Sequence, residues 1–149
     1  MNHDALRIIL ADDDEDDRLW FKDAIEEIKI KSILTIVNDG VELMNYLLNP
    51  EVHLPNLVFL DLNMPRKGGM ECLNEIRSNH KLKDLSIAIY STSGLEKDIE
   101  ETFIKGANIY IKKPSDFDEL KNILTKVINI NWHYHTSGLN KDNFLLNLY

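Results

Sequence analysis

A single cysteine, Cys72, excludes an internal disulfide and any metal site built from several thiolates. No apolar run approaches the roughly 20 residues that a membrane-spanning helix needs. Met1-Asn2-His3-Asp4 opens without the basic stretch and apolar core of a secretory leader. These absences lead to the expectation of a soluble, cytoplasmic protein. Basic residues are also scarce: 17 Lys and Arg against 25 Asp and Glu leave a formal charge of −8. A non-specific nucleic-acid binder needs a basic surface to displace counterions, so that class is set aside. What is present is 44% hydrophobic residues in a chain of 149, enough for one domain with one core.

The run Leu57-Val58-Phe59-Leu60-Asp61-Leu62-Asn63-Met64-Pro65 reads as a strand covered on both faces, closed by proline and by Gly68 and Gly69. Asp61 stands at its C-terminal end, where open parallel sheets present reactive groups. Upstream, Arg7-Ile8-Ile9-Leu10-Ala11 is a first strand that stops in six acids, Asp12 to Asp17. Asp14 to Asp17 precede a helical pattern (Leu19, Trp20, Ala24, Ile28), and the helix dipole and capping account for acids there. Asp12 and Asp13 fall at the strand end and are left as functional candidates.

Ile33-Leu34-Thr35-Ile36-Val37 is β-branched and strand-like. Val41, Met44, Leu47 and Leu48 give helical spacing, as do Met70, Leu73 and Ile76 after Gly69, a helix in which Cys72 is expected to be a small buried hydrophobe. Ile87-Ala88-Ile89-Tyr90-Ser91 is a fourth strand, ending in Ser91-Thr92-Ser93-Gly94. A helix follows over about 96–105, stopped by Gly106. The fifth strand, Asn108-Ile109-Tyr110-Ile111-Lys112-Lys113, breaks at Pro114, after which Ser115 or Asp116 caps a last helix. Strands alternating with helices predict an α/β fold, a doubly wound five-stranded parallel sheet with helices on both faces.

In such a sheet all strand C-termini share one edge. Asp12, Asp13, Asp61, Ser91 and Lys113 therefore converge, and three carboxylates beside one ammonium call for a counter-ion. Hard oxygen ligands with room for water and phosphate suit Mg²⁺. The chemistry that fits is phosphoryl transfer onto a carboxylate.

Asp12-Asp13, Asp61 with Asn63-Met64-Pro65, Ser91, and Lys113-Pro114 resemble the receiver domain of two-component response regulators, including the stand-alone chemotaxis type. Thirty residues separate Asp61 from Ser91 and twenty-two separate Ser91 from Lys113, intervals that match the family. The resemblance covers about 6–130 and implies the flavodoxin-like strand order 2-1-3-4-5. It implies that Asp61 accepts a phosphoryl group from a histidine kinase or histidine phosphotransfer protein. Asp13, Asp61 and the Asn63 carbonyl would ligate Mg²⁺, with Asp12 acting through bound water. Lys113 would contact the phosphoryl oxygens, its bond to Pro114 being cis in this family. Ser91, with Thr92 the alternative, supplies the hydroxyl, and Tyr110 matches the aromatic switch that alternates between exposed and buried rotamers.

The chain thus divides into a receiver domain, 1–130, and a C-terminal extension, 131–149. The expected role is a phosphorylation switch acting on a downstream protein target, rather than a turnover enzyme. The extension carries His133-Tyr134-His135, a metal pair lacking a third ligand, and an apolar end, Asn143 to Tyr149. It is too short and too little basic for a DNA-binding output domain. That apolar end is expected to fold back on the body or to dock on a partner, and with the last strand and helix it is the candidate homodimer surface. The tail suggests the regulators paired with phytochrome-like kinases. Three rival classes would each leave a mark in the sequence. A haloacid-dehalogenase-type phosphatase would carry a second acid where Asn63 stands. A phosphate-independent receiver would have lost an acid or the lysine. A flavodoxin-type flavin binder would have a hydroxyl-rich loop after the first strand.

Overall fold

The computed structural model describes residues 5–130 together with the backbone of residues 145 and 146. The first strand, β1 (Leu6–Ala11), divides its side chains between two cores by simple alternation. Ile8 and Leu10 face one apolar layer, Ile9 and Ala11 the other. β2 (Ser32–Val37) pairs with β1 on one side, and β3 (Leu57–Leu60) pairs on the other. β4 (Ile87–Ser91) then follows β3, and β5 (Ile109–Lys112) follows β4, every pair parallel. All residues of β3 and β4 are buried, as their uninterrupted apolar character requires.

Parallel pairing demands a crossover after each strand, and five helices provide it: α1 (Glu15–Glu27), α2 (Gly40–Leu48), α3 (Gly69–Ser78), α4 (Glu96–Ile104) and α5 (Phe117–Ile128). Phe21, Ala24 and Ile25 of α1 pack with Leu120, Ile123, Leu124 and Val127 of α5 on one face of the sheet. Leu43 and Leu47 of α2, Cys72, Leu73 and Ile76 of α3, and Ile99 of α4 fill the other. Three helix starts are fixed by aspartate caps that accept backbone N–H bonds: Asp14 from Asp17 at 3.0 Å, Asp39 from Glu42 at 2.9 Å and Asp116 from Glu119 at 3.3 Å. No helix among the described residues is long and apolar enough to cross a membrane.

The order β2-β1-β3-β4-β5 is the one that the resemblance implies, and it extends by one strand. Leu145–Leu146 form β6, parallel to β5 with Tyr110 opposite Leu145 and Ile111 opposite Leu146. The five expected parallel strands stand in the expected order, and the two-residue β6 is an addition at the edge. The physical reason is that β5 would otherwise present a bare row of backbone groups at the sheet edge, and a short segment of the extension satisfies them. The remainder of 131–149, including His133 and His135, lies outside the described residues.

Candidate functional site

Backbone bonds bring the chemistry together before any side chain is considered. Asp12 and Asp61 are the first residues beyond β1 and β3; Asp12 N–H donates to Val37 O at 3.2 Å, and Asp61 N–H donates to Ala11 O at 3.0 Å. β1 leads to β2 on one side of the sheet while β3 lies on the other, so the two acids flank the crevice where the winding reverses. On the far side of the crevice, Lys113 N–H donates to Ser91 O at 2.8 Å.

The loop after Asp61 is pressed against this edge. Gly69 N–H donates to Leu62 O at 3.0 Å, and a Cβ on Gly69 would overlap the Asp61 carbonyl oxygen. Arg66 takes a left-handed φ of 65°, rare for a residue with a Cβ. Its guanidinium holds Asp39 Oδ2 with two bonds, at 2.8 and 3.1 Å, and Asp39 in turn caps α2. The Glu42 N–H, and after it the two hydrogen bonds from Arg66, draw the Asp39 carboxyl below its usual range.

Carboxylate oxygens of Asp12, Asp13 and Asp61 lie within 4.8 Å of one another. Asp12 is fully buried, Asp61 is 6% exposed, and Asp13 faces solvent. Asp12 Oδ1 accepts from Asp14 N–H at 2.9 Å. Asp12 Oδ2 is 2.8 Å from Lys113 Nζ, yet no donor among the described residues is aligned for a hydrogen bond to it. A buried oxygen in that condition, two further oxygens nearby and an open side at Asp13 fit a hard divalent cation that keeps part of its water. The cluster is a divalent-cation site of the Mg²⁺ type.

Lys113 is the counter-charge. Its side chain is 8% exposed, and Nζ lies 2.8 Å from Asp12 Oδ2, 2.8 Å from Asp17 Oδ2 and 3.4 Å from Asp61 Oδ2, with the Tyr90 ring centroid at 5.3 Å. Burial alone would favour the neutral amine, but the carboxylates reverse this and hold the ammonium above its ordinary pKa. Burial pushes Asp61 up to about 6; Lys113 opposes the shift and the negative charge of Asp12 adds to it. Burial raises Asp12 as well, against the pull of Lys113 and of the Asp14 N–H.

Ser91 is fully buried and its Oγ accepts from Ser93 N–H at 3.1 Å, whereas Thr92 is exposed, so Ser91 is the hydroxyl that faces inward. Tyr110 is fully buried, and its hydroxyl donates to Ser93 O at 2.7 Å. Of the two rotamers expected for this ring, the structure holds the buried one. Asn63 is exposed, and its N–H donates to Asp61 Oδ1 at 3.2 Å. The expectation of a cis Lys113–Pro114 bond is corrected: no peptide bond among the described residues is cis. The trans form is the intrinsically preferred one, and Lys113 reaches the carboxylates from it.

Two partners at the site escape a reading of the sequence. Asp17 is already accounted for as an acid in the first turn of α1, so nothing marks it as a ligand of Lys113. Arg66 sits in a loop whose left-handed turn has no signature other than the neighbouring glycines.

Residues 8–125 match the family of the response regulator receiver domain. The response regulator Rcp1 of Synechocystis sp. is 31% identical over 117 residues, 76% of this chain and 80% of that protein. Among solved structures, the phosphorylated cyanobacterial phytochrome response regulator RcpA superposes with a TM-score of 0.78 at 31% identity, covering 88% of this chain and 96% of that one. The Mn²⁺-bound form of Rcp1 gives 0.76 at 26% identity, covering 91% and 97%. With its acid cluster, buried lysine and strand order in place, the chain belongs to the response regulator receiver domains, the phosphorylation-dependent switches of two-component signalling.

Proposed function

We propose that Asp61 is the phosphoryl acceptor of this switch. The observation that carries the reading is the packing of Asp12, Asp13 and Asp61 oxygens within 4.8 Å, with Lys113 Nζ 3.4 Å from Asp61. At pH 7 a carboxyl with a pKa of about 6 is mostly ionised, so Asp61 is a competent nucleophile while Lys113 remains an ammonium. The donor is a phosphohistidine of a histidine kinase or phosphotransfer protein. An Asp61 oxygen attacks phosphorus, the P–N bond breaks, and its electron pair leaves with the imidazole, which takes up a proton. The reverse of the switch is hydrolysis: water attacks phosphorus and the Asp61 carboxylate is the leaving group. Both steps are catalysed in the crevice itself.

Asp12, Asp13, Asp61 and the Asn63 carbonyl would hold Mg²⁺, which neutralises the phosphoryl oxygens when bound. Lys113 orients those oxygens from the opposite side. A phosphorylated aspartate carries about −2 charge and three acceptor oxygens, so Lys113 and the Ser91 hydroxyl gain contacts that the bare carboxylate does not offer. The Ser91 hydroxyl accepts from Ser93 N–H and has its own O–H to donate to the phosphoryl group, while the Ser93 carbonyl accepts from the Tyr110 hydroxyl. That shared residue couples the hydroxyl to the aromatic ring. Thr92, exposed beside Ser91, contributes to the rim and not to the phosphoryl contact. The readout surface for a downstream protein is α4, β5 and α5, where Leu95 and Ile104 are 62% and 80% exposed.

The test is intact-protein mass after incubation with Mg²⁺ and acetyl phosphate. The wild type is expected to gain one phosphoryl group and Asp61→Asn none. A phosphorylated Asp61→Asn would overturn the assignment.

A further inference from the structure

Lys113 Nζ has three N–H donors and three carboxylates around it. The shortest contacts are not to Asp61 but to Asp12 and Asp17, both at 2.8 Å. Asp17 belongs to α1, 96 residues away in sequence, and lies outside the group of three acids that approach one another closely. It is also the least enclosed partner: its side chain is 34% exposed, against 0% for Asp12 and 8% for Asp61.

A phosphoryl group on Asp61 brings three acceptor oxygens to an ammonium already hydrogen-bonded to Asp17 and Asp61 and ion-paired with Asp12. Lys113 must release a partner to bind it. Releasing Asp12 strands a buried carboxylate, whereas Asp17, with its side chain 34% exposed, is rehydrated at lower cost. Asp17 and a phosphoryl group would moreover be like charges sharing one lysine. We propose that Asp17 is a positioning residue, the resting counter-ion that Lys113 exchanges for the phosphoryl group, so that it biases the switch toward its unphosphorylated state. Asp17 touches no reacting atom; it acts through Lys113. This inference rests on the assignment of Asp61 as acceptor.

Fluoroberyllate, a non-reacting phosphoryl mimic, allows the exchange to be read as an equilibrium. Trp20 on α1 stands edge-on to Phe117 at 5.9 Å, close in sequence to Asp17, and its fluorescence is the readout at fixed Mg²⁺. Asp17→Asn is expected to bind fluoroberyllate about three- to tenfold more tightly than wild type. Asp17→Glu, which keeps the charge within reach of Lys113, is expected to return to within about twofold of wild type. Asp16→Asn removes the same charge from an exposed position in the same turn and is expected to change affinity by less than about twofold. Equal affinities for Asp17→Asn and Asp16→Asn, or weaker binding by Asp17→Asn, would overturn the proposal. Circular dichroism of each variant distinguishes these results from misfolding. Absence of phosphorylation in the wild type would instead remove the acceptor assignment itself, so the two failures are separable.

Discussion

At the scale of single residues, the site is a store of unfavourable charge. Asp61 in the folded chain holds its proton up to about pH 6, while in the unfolded chain it titrates near the model-peptide value. Between about pH 4 and pH 6 the folded state therefore binds more protons than the unfolded state, and stability falls as pH rises through that window. Above it the ionised, buried Asp61 is a standing penalty. Asp61→Asn is expected to stabilise the metal-free protein at pH 7 by about 2 kcal/mol, with the gain vanishing near pH 4. Urea unfolding at the two pH values measures it; a destabilised Asp61→Asn at pH 7 would contradict it. Cys72, by contrast, is buried with its thiol pushed up to about 11, the inert apolar residue expected of it.

At the scale of elements, the acceptor loop is held by an ion pair rather than by its own backbone preference. Arg66 at φ 65° is strained, and its guanidinium ties the loop to the cap of α2. Arg66→Ala keeps the strain and loses the tie, with an expected loss of about 1–2 kcal/mol. Arg66→Gly loses the tie but removes the strain, and is expected to be about 1 kcal/mol more stable than Arg66→Ala. Thermal melts rank the pair, and the opposite ranking would refute the strain. The elements themselves were largely legible: Ile87–Ser91 has the same limits in sequence and structure, since an apolar run there meets a hydroxyl and glycine cluster. α1 begins at Glu15, before the first apolar residue of its stripe, because the Asp14 cap and not the stripe sets its start. Asp17 stayed hidden for the related reason that helix physics already explains an acid in a first turn. β6 stayed hidden because two residues carry no alternation.

At the scale of the whole molecule, the nearness of Asp12, Asp13, Asp61 and Lys113 was readable from spacing because parallel strands place every C-terminal end on one edge. What spacing does not encode is which contacts are made at rest: Lys113 nearer Asp12 and Asp17 than Asp61, and Tyr110 already buried against Ser93. The sixth strand also belongs to this scale, since it closes the edge of the sheet beside the proposed readout surface. Removal of residues 131–149 is expected to speed amide hydrogen exchange in β5 while β1 and β3 stay protected. Unchanged exchange in β5 would show that its edge does not depend on β6.

On the assignment proposed above, one acid, Asp61, forms an acyl phosphate in a crevice built from β1, β3 and β5. Borohydride reduction of the protein after treatment with Mg²⁺ and acetyl phosphate, followed by peptide mapping, locates the acyl phosphate directly. A single modified site at Asp61 is expected, lost when Mg²⁺ is chelated before the phosphodonor is added. A modification at Asp12, Asp13 or any other residue, or one indifferent to Mg²⁺, would contradict it.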